Sequence, residues 1–90
     1  MRKTDLIGVV AGKTGLSKRS AQAVIDAFVG SVQAALEEGL VVRVNGFGTF
    51  EVADRKERLG VRPGTADPIV IPARHVPVFR PARRLKDAVK

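Results

Sequence analysis

The feature that most constrains this chain is a long stripe of apolar side chains between residues 21 and 36. These side chains recur every three or four residues, the spacing that puts them on one face of an α-helix. The stripe consists of Ala21, Val24, Ile25, Phe28, Val29, Val32, Ala35 and Leu36. A chain of 90 residues forms one domain with a modest core, and one short helix cannot cover so wide a stripe. The sequence therefore predicts that a partner surface outside this chain covers it.

Capping residues set the bounds of two predicted helices. Thr4 is the predicted N-cap of the first helix, and Gly15 is its predicted C-cap, because glycine adopts the left-handed conformation that ends helices. Ser17 is the predicted N-cap of a second, longer helix, which contains the apolar stripe and stops at Gly39. The first 39 residues are thus predicted to be largely helical.

After Gly39 the period of the pattern changes to two, which predicts strands. Residues 40–44 are mostly apolar and β-branched, and the pair Asn45-Gly46 predicts a turn. Residues 49–53 then alternate, so that Phe50 and Val52 share one face. Residues 54–68 are charged and contain glycine and proline, before a second apolar run at 69–71. We interpret the stretch between the runs as an extended hairpin with Pro63-Gly64 at its tip.

Prolines organise the rest of the chain. Pro72 and Pro77 predict edge or bulge positions, because proline has no N–H to donate to a sheet. Residues 76–79 return to the sheet, and Pro81 is the predicted first residue of a short last helix whose apolar face is Leu85, Ala88 and Val89. The predicted class is α+β, in the order α-α-β-β-arm-β-α, where the arm denotes residues from about 54 to 74.

The charge of the chain is strongly positive and unevenly distributed. Sixteen Lys and Arg against nine Asp and Glu give a formal net charge of +7. Residues 1–50 hold six basic and four acidic side chains, a net +2, whereas residues 51–90 hold ten and five, a net +5. An excess on one part of a chain is typical of a surface that binds an acidic polymer. A generally basic soluble surface is the alternative explanation.

Several protein classes gain no support from the sequence. The lack of cysteine excludes disulfides and thiolate chemistry and fits a reducing cytoplasm. No apolar run approaches the ~18 residues that span a bilayer. The N-terminal residues enter a helical pattern directly, without the pattern of a signal peptide. We therefore expect no membrane association.

Residues for catalysis or metal binding are sparse. His75 is the only histidine, and we expect it to be a polar residue at a strand edge, because one imidazole cannot form a histidine-rich metal site. The pair Glu37-Glu38 is expected to be solvated, and the glycines of residues 46–48 lack the spacing of a nucleotide-binding loop. The sequence thus predicts no enzyme, no cofactor and no metal.

Taken together, the motifs of this chain resemble those of the bacterial HU family of histone-like DNA-binding proteins, which are relatives of integration host factor. The resemblance extends over essentially all 90 residues. It depends on Gly46-Phe47-Gly48-Thr49-Phe50, Leu16-Ser17-Lys18, Arg62-Pro63, Val76-Pro77-Val78-Phe79 and the ending Leu85-Lys86-Asp87-Ala88-Val89-Lys90. It implies an intertwined dimer with a helical base (residues 1–39), an antiparallel β-saddle with two long protruding β-ribbon arms (40–80) and a C-terminal helix (81–90).

The resemblance also implies roles for individual residues. Pro63 matches the family's arm-tip proline, which enters between base pairs as a wedge and kinks the duplex. The implied DNA-binding residues are Lys3, Arg55, Arg58, Arg62, Pro63, Arg74, Arg80, Arg83 and Lys86. The implied dimer core is Val24, Ile25, Phe28, Val32, Leu36, Phe47, Phe50 and Phe79. Departures from the family pattern at Val61, Ala66, Asp67 and Pro68 affect the turn geometry and the charge of the arm.

The expected function is that of an architectural protein. The resemblance implies a homodimer that binds double-stranded DNA with little sequence specificity, bends it, and compacts and stabilises the nucleoid in the cytoplasm. Bent, nicked or junction DNA is the expected preference, and RNA binding stays open because phosphate contacts do not exclude it. One alternative is a subunit of a sequence-specific heterodimer like integration host factor. Another is a dimerisation module that binds no nucleic acid.

Overall fold

The structure is a computed structural model that describes residues 1–65 and 67–90. Three helices and five strands follow one another as α1 (Lys3–Thr14), α2 (Lys18–Glu37), β1 (Val42–Val44), β2 (Gly48–Arg55), β3 (Arg58–Val61), β4 (Pro68–Ile71), β5 (Arg74–Pro81) and α3 (Arg83–Ala88). The predicted α+β class is therefore confirmed. The chain divides into two compact units, Met1–Ala34 and Ala35–Lys90.

The first helix begins two residues earlier than its predicted cap allows. Arg2 occupies the N-cap position, and its backbone N–H donates a hydrogen bond of 2.9 Å to the Asp5 carboxylate. A carboxylate in the first turn also interacts favourably with the helix dipole. Thr4 as N-cap was thus wrong, because Asp5 satisfies the end of the helix from inside. Gly15 ends α1 as predicted, with φ of 75° and its N–H donating to the Ala11 carbonyl.

Both predicted ends of α2 are confirmed. The Ser17 hydroxyl accepts a hydrogen bond of 3.1 Å from the backbone N–H of Ser20, as an N-cap serine does. At the other end Gly39 has φ of 76°, and its N–H donates to the Leu36 carbonyl at 3.0 Å. The long amphipathic helix thus lies where the capping residues place it.

The apolar stripe of α2 is left largely uncovered by the chain itself. Among the described residues, Ile7 and Ala21 are the only buried apolar side chains. Val24, Phe28 and Val29 expose 54%, 48% and 53% of their surface. Burial of apolar surface is the main favourable contribution to folding. A helix face this apolar and this exposed accordingly lacks most of the stabilisation that burial would give it.

The sheet is three-stranded and antiparallel, in the order β1-β2-β5. Phe50 of β2 lies opposite Val42 of β1 and Phe79 of β5, which puts the three side chains on one apolar face. The rings of Phe50 and Phe79 are 4.8 Å apart between centroids, and Phe47, in the turn before β2, lies 5.2 Å from Phe79. This aromatic cluster connects the three strands.

The arm is the continuation of the β2–β5 hairpin. Strands β3 and β4 pair antiparallel as a two-stranded sheet. Residue numbers of opposing partners add up to 129 from the pair Gly48–Pro81 to the pair Val61–Pro68. No residue is therefore inserted on either strand, and the extended hairpin predicted for this stretch is confirmed. Pairing lapses only at residues 56–57 and, opposite them, 72–73.

At that lapse the hydrogen-bond alternation shifts by one residue. In antiparallel ladders every second opposing pair is hydrogen-bonded. The Ala82 N–H donates to the Phe47 carbonyl, whereas in the arm the Arg62 N–H donates to the Asp67 carbonyl. Along one strand of an uninterrupted ladder, the residues in hydrogen-bonded pairs are separated by even numbers of positions. Ala82 and Asp67 both belong to such pairs but are fifteen positions apart, so the pattern must shift between them.

Pro72 supplies the physical reason for the shift. Under the alternation of the sheet, residue 72 would have to donate an N–H to its partner strand, and proline has none. If residue 72 instead follows the hydrogen-bond pattern of the arm, its backbone nitrogen points away from the partner strand and no N–H is needed there. Pro68, Pro77 and Pro81 likewise occupy pairs that are not hydrogen-bonded, so none of them breaks the pairing.

The last helix begins later than predicted. Pro81 is the final residue of β5 and pairs with Gly48, while Ala82 is the N-cap of α3 and Arg83 its first residue. Pro81 as the first helical residue was therefore wrong, because proline is equally compatible with the outward-facing positions of an edge strand.

Candidate nucleic-acid interface

One face of the sheet carries a row of basic side chains. Arg43 of β1 lies opposite Thr49 of β2, which in turn lies opposite Arg80 of β5. Opposing residues point to the same face of a sheet, so the three share a face with Arg55 and Arg74 at the other end of the β2–β5 pair. We call this the basic face, defined by Arg43, Thr49, Arg80, Arg55 and Arg74.

Arg43 was missing from the sequence-based set of DNA-binding residues. The signal was available: in Val42-Arg43-Val44 the arginine is the one polar residue of a three-residue strand, so it faces away from the apolar side. Arg80 was in that set, and its guanidinium forms an ion pair with Glu51, the next acidic residue on the same face. An acidic group thus already occupies part of the basic face.

The arm has two chemically different faces. Arg58, Gly60 and Arg62 alternate along one face of the first strand, and both arginines are exposed. A Cβ on Gly60 would lie 2.7 Å from Ile71 Cδ1, which shows that Ile71 lies across the glycine between the two arginines. The opposite face is wholly apolar, since it presents Leu59, Val61, Pro68 and Val70. Leu59 is 79% exposed and Val61 is 65% exposed.

The arm tip is a tight turn with Pro63 exposed at its first central position. The Thr65 N–H donates to the Arg62 carbonyl at 3.3 Å, and Gly64 has φ of 82°. Proline followed by a glycine of positive φ is the arrangement of a type II turn. Below it, Arg62 and Asp67 are joined by a backbone hydrogen bond of 2.8 Å.

The departures noted in the arm fit this geometry where the structure describes them. Asp67 helps to close the tip, since its backbone N–H donates to the Thr65 hydroxyl at 3.4 Å. Pro68 lies opposite Val61 in a pair that needs no N–H. The expectation for Ala66 lies outside the described residues.

The C-terminal helix adds three exposed basic residues, Arg83, Arg84 and Lys86. Arg83 lies 3.9 Å from Asp87, an i,i+4 ion pair. The side chain of Arg84 extends beside the turn before β2, where its Nη1 is 3.5 Å from the position of a Cβ on Gly46. Arg84 is therefore placed against a turn next to the basic face and is not directed into solvent alone.

Two other residues of the predicted sets, Lys3 and His75, each contact an aspartate. Lys3, on α1, forms an ion pair of 2.6 Å with Asp26 of α2. His75 is exposed, as expected, and its Nδ1 lies 2.6 Å from Asp54 Oδ1 on the side of the sheet opposite to the basic face. Within residues 1–65 and 67–90 no cluster of three or more His, Cys, Asp or Glu side chains could hold a metal ion. None of the helices described is long and apolar enough to cross a membrane.

The chain matches a known family along its whole length. The family model described as "Bacterial DNA-binding protein" matches residues 1–90. The chain is similar to the DNA-binding protein HU of Thermus thermophilus, with 50% identity over 88 residues that cover 98% of this chain and 91% of that protein. It is also similar to the DNA-binding protein HU of Geobacillus stearothermophilus, with 48% identity over 90 residues and full coverage of both.

Solved structures give the same result for the fold. The Anabaena HU–DNA cocrystal structure superimposes with a TM-score of 0.91 at 36% identity, covering 99% of this chain and 97% of that one. HU from Thermotoga maritima superimposes with a TM-score of 0.73 at 31% identity over the full length of both chains.

Proposed function

This chain belongs to the family of bacterial DNA-binding proteins that includes HU, and we propose from this that it is an architectural protein that binds duplex DNA and bends it. The observation that supports this proposal most directly is the arm, with Arg58 and Arg62 exposed on one face and Pro63 exposed at its tip. One solved relative has been crystallised with DNA.

The binding step depends on arginine. A guanidinium is always charged, and its fork of N–H donors matches the oxygens of a phosphate. Arg58 and Arg62 of the arm, together with Arg43 and Arg80 of the basic face, offer such forks to the DNA backbone. Phosphate contacts carry no sequence information. Binding by these residues accordingly has little sequence specificity and weakens as salt rises.

The apolar face of the arm supports contact with the groove. Leu59, Val61 and Val70 are exposed there and have no polar group that could read a base edge. Such side chains suit the apolar walls that the sugars present inside the minor groove. The arm in this proposal lies in the minor groove with its arginines toward phosphate.

Bending follows from the tip. An apolar side chain that enters between two base pairs unstacks them and kinks the duplex, at a cost of a few kcal/mol per step. Pro63 is rigid, exposed and held by the turn of residues 62–65, so it suits the role of a wedge. Bends of this kind reduce the end-to-end distance of a DNA segment. Compaction and stabilisation of the nucleoid are the proposed consequence in the cell.

The assembly that we propose is a homodimer. A chain of 90 residues buries only a modest core by itself, and a standard interface would bury roughly 800 Å² on each partner. The half-exposed Val24 and Phe28 of α2 supply apolar surface for such an interface, with Phe47, Phe50 and Phe79 in the sheet.

One experiment tests the proposal as a whole. The protein is titrated into linear, nicked and four-way-junction DNA of several unrelated sequences, and the mass of the free protein is measured alongside. We expect a dimer mass, similar affinity for all sequences, and tighter binding to nicked and junction DNA, because there the bend is already partly made. Failure to bind any DNA would overturn the proposal. One sequence preferred by orders of magnitude would favour the heterodimer-like alternative, and tighter binding to duplex RNA would favour an RNA target.

A further inference from the structure

Two arginines face each other at the arm root, which we define as residues 54–58 and 71–74. Arg55 of β2 lies directly opposite Arg74 of β5, and the pair belongs to the hydrogen-bonded set of the sheet. The Cα atoms of such pairs are typically about 5.5 Å apart, and their side chains stand on the same face. Like charges in this position repel each other and destabilise a sheet.

No carboxylate in the described part of the chain forms an ion pair with either arginine of this pair. Asp54, in the neighbouring pair, contacts His75 on the other side of the sheet. Glu51, further along the basic face, is engaged by Arg80. The two guanidinium groups are thus left facing solvent together.

A hollow opens beside this pair, where the strand pairing lapses at Pro72. It has a volume of about 510 Å³. Its charged lining consists of four cations, Arg55, Lys56, Arg58 and Arg74, and two carboxylates, Asp54 and Glu57. A water molecule occupies roughly 30 Å³ in the liquid, so a phosphate group with its remaining hydration shell fits inside.

We propose that Arg55 and Arg74 together clamp one backbone phosphate of the bound DNA at the arm root. Two planar forks that converge on one phosphate satisfy its oxygens and cancel the repulsion between the arginines. The site also fixes where the duplex passes from the basic face to the arm, because Arg74 lies six residues, about 20 Å, along β5 from Arg80. This inference rests on the proposed DNA binding and adds a specific anion site to it.

The test uses the salt dependence of binding to one fixed linear duplex. The slope of log affinity against log salt decreases by about 0.9 for each phosphate that the protein no longer neutralises. Variants Arg55→Gln, Arg74→Gln and the double variant are compared with wild type, and Arg19→Gln, on α2 and not among the predicted DNA-binding residues, is the matched control. We expect the slope of the double variant to fall by about 0.9 per arm, because both arginines share one phosphate. Arg74→Lys, which keeps the charge but lacks the fork, should lower affinity several-fold with the slope nearly unchanged.

A second readout comes from the free protein. Because the arginines repel each other without DNA, Arg74→Gln should raise the urea midpoint of the free protein while it weakens DNA binding. A fall of about 1.8 per arm in the slope of the double variant would mean two separate phosphates and would overturn the clamp. An unchanged slope in a protein that still binds DNA would also overturn it and leave the general function intact. A wild type that binds no DNA would instead remove the proposed function.

Discussion

A Cβ atom on Gly48 would lie 2.5 Å from the ring of Phe79, closer than real Cβ contacts come. The same atom would lie 2.7 Å from the backbone carbonyl oxygen of Arg80, which cannot rotate away. The glycine is thus what allows Phe79 to lie across β2 and reach Phe50. The aromatic cluster and the close approach of β2 and β5 have the same cause.

Gly48→Ala is therefore expected to destabilise the protein. Forcing an extra methyl group into a packed site costs typically ~1–3 kcal/mol, and urea unfolding followed by circular dichroism would measure the change. Gly12→Ala is the matched control, because nothing lies within 4 Å of a Cβ there and the site is helical. We expect the control to gain about 0.5–1 kcal/mol. Equal stability of the Gly48 variant and wild type would contradict the packing described for Phe79.

The apolar stripe of α2 predicts a folding equilibrium coupled to association. The thermal midpoint should rise with protein concentration, because a partner that binds only the folded chain stabilises it. Phe28→Ala should cost ~3–5 kcal/mol if the ring is fully buried in the dimer, although the ring is 48% exposed in the single chain. Melting curves at several protein concentrations would measure the midpoint and the loss of stability, and analytical ultracentrifugation would measure the mass of the free protein. A monomer at micromolar concentration with a constant midpoint would rule the dimer out.

We expect different residues of the arm to determine DNA affinity and DNA bending. Arg58→Ala or Arg62→Ala should lower affinity and flatten the salt slope, because each removes a phosphate contact. Pro63→Ala should leave the slope nearly unchanged and reduce the bend, because a smaller side chain holds a base step open less well. Energy transfer across a short linear duplex at saturating protein measures the bend.

Two controls make the Pro63 result interpretable. The affinity of the variant should decrease less for nicked DNA than for intact duplex, because nicked DNA bends at a lower free-energy cost. The order of the arm in the free variant needs to be checked by NMR, because Pro63 also stiffens the turn before Gly64. Equal bend angles for wild type and Pro63→Ala would leave Pro63 as an ordinary turn residue.

The ion pair between Arg80 and Glu51 predicts a gain from removing an acid. Glu51→Gln frees Arg80 for phosphate and removes a negative charge from the basic face. Because exposed ion pairs contribute only about 0–1 kcal/mol, we expect DNA affinity to rise a few-fold, with a steeper salt slope. Glu38→Gln, after the end of α2, is the matched control and should have little effect. Weaker binding by Glu51→Gln would mean that Glu51 instead orients Arg80 for DNA.

Much of the fold could be predicted because local chemistry determined it. Ser17, Gly15 and Gly39 satisfy helix ends through their own side chains or left-handed backbone, so the sequence alone located them. The predicted membership of the HU family was confirmed by the match of the whole chain to that family. Thr4 as N-cap was wrong because the Asp5 carboxylate accepts the Arg2 N–H and lets the helix begin earlier. Pro81 as a helical residue was wrong because strand pairing with Gly48 extends to it.

The candidate interface was harder to predict in its details. Arg43 could have been found from the alternation of β1, but the strand is only three residues long and gives a weak signal. The opposition of Arg55 and Arg74 depends on register, which nothing in the sequence fixes over so long a hairpin. The shift of alternation at Pro72 likewise depends on which side of the strand each nitrogen faces.

The outward-facing prolines have a consequence for how these molecules behave when crowded together. The β5 strand is the outer strand of the described sheet, and its free side would offer a row of unpaired N–H groups to any other strand. Pro77 and Pro81 remove two of those donors where they would face outward. A second sheet therefore finds no regular ladder to extend along β5. Edge-to-edge association of sheets, a common route to aggregation, is accordingly disfavoured along this strand.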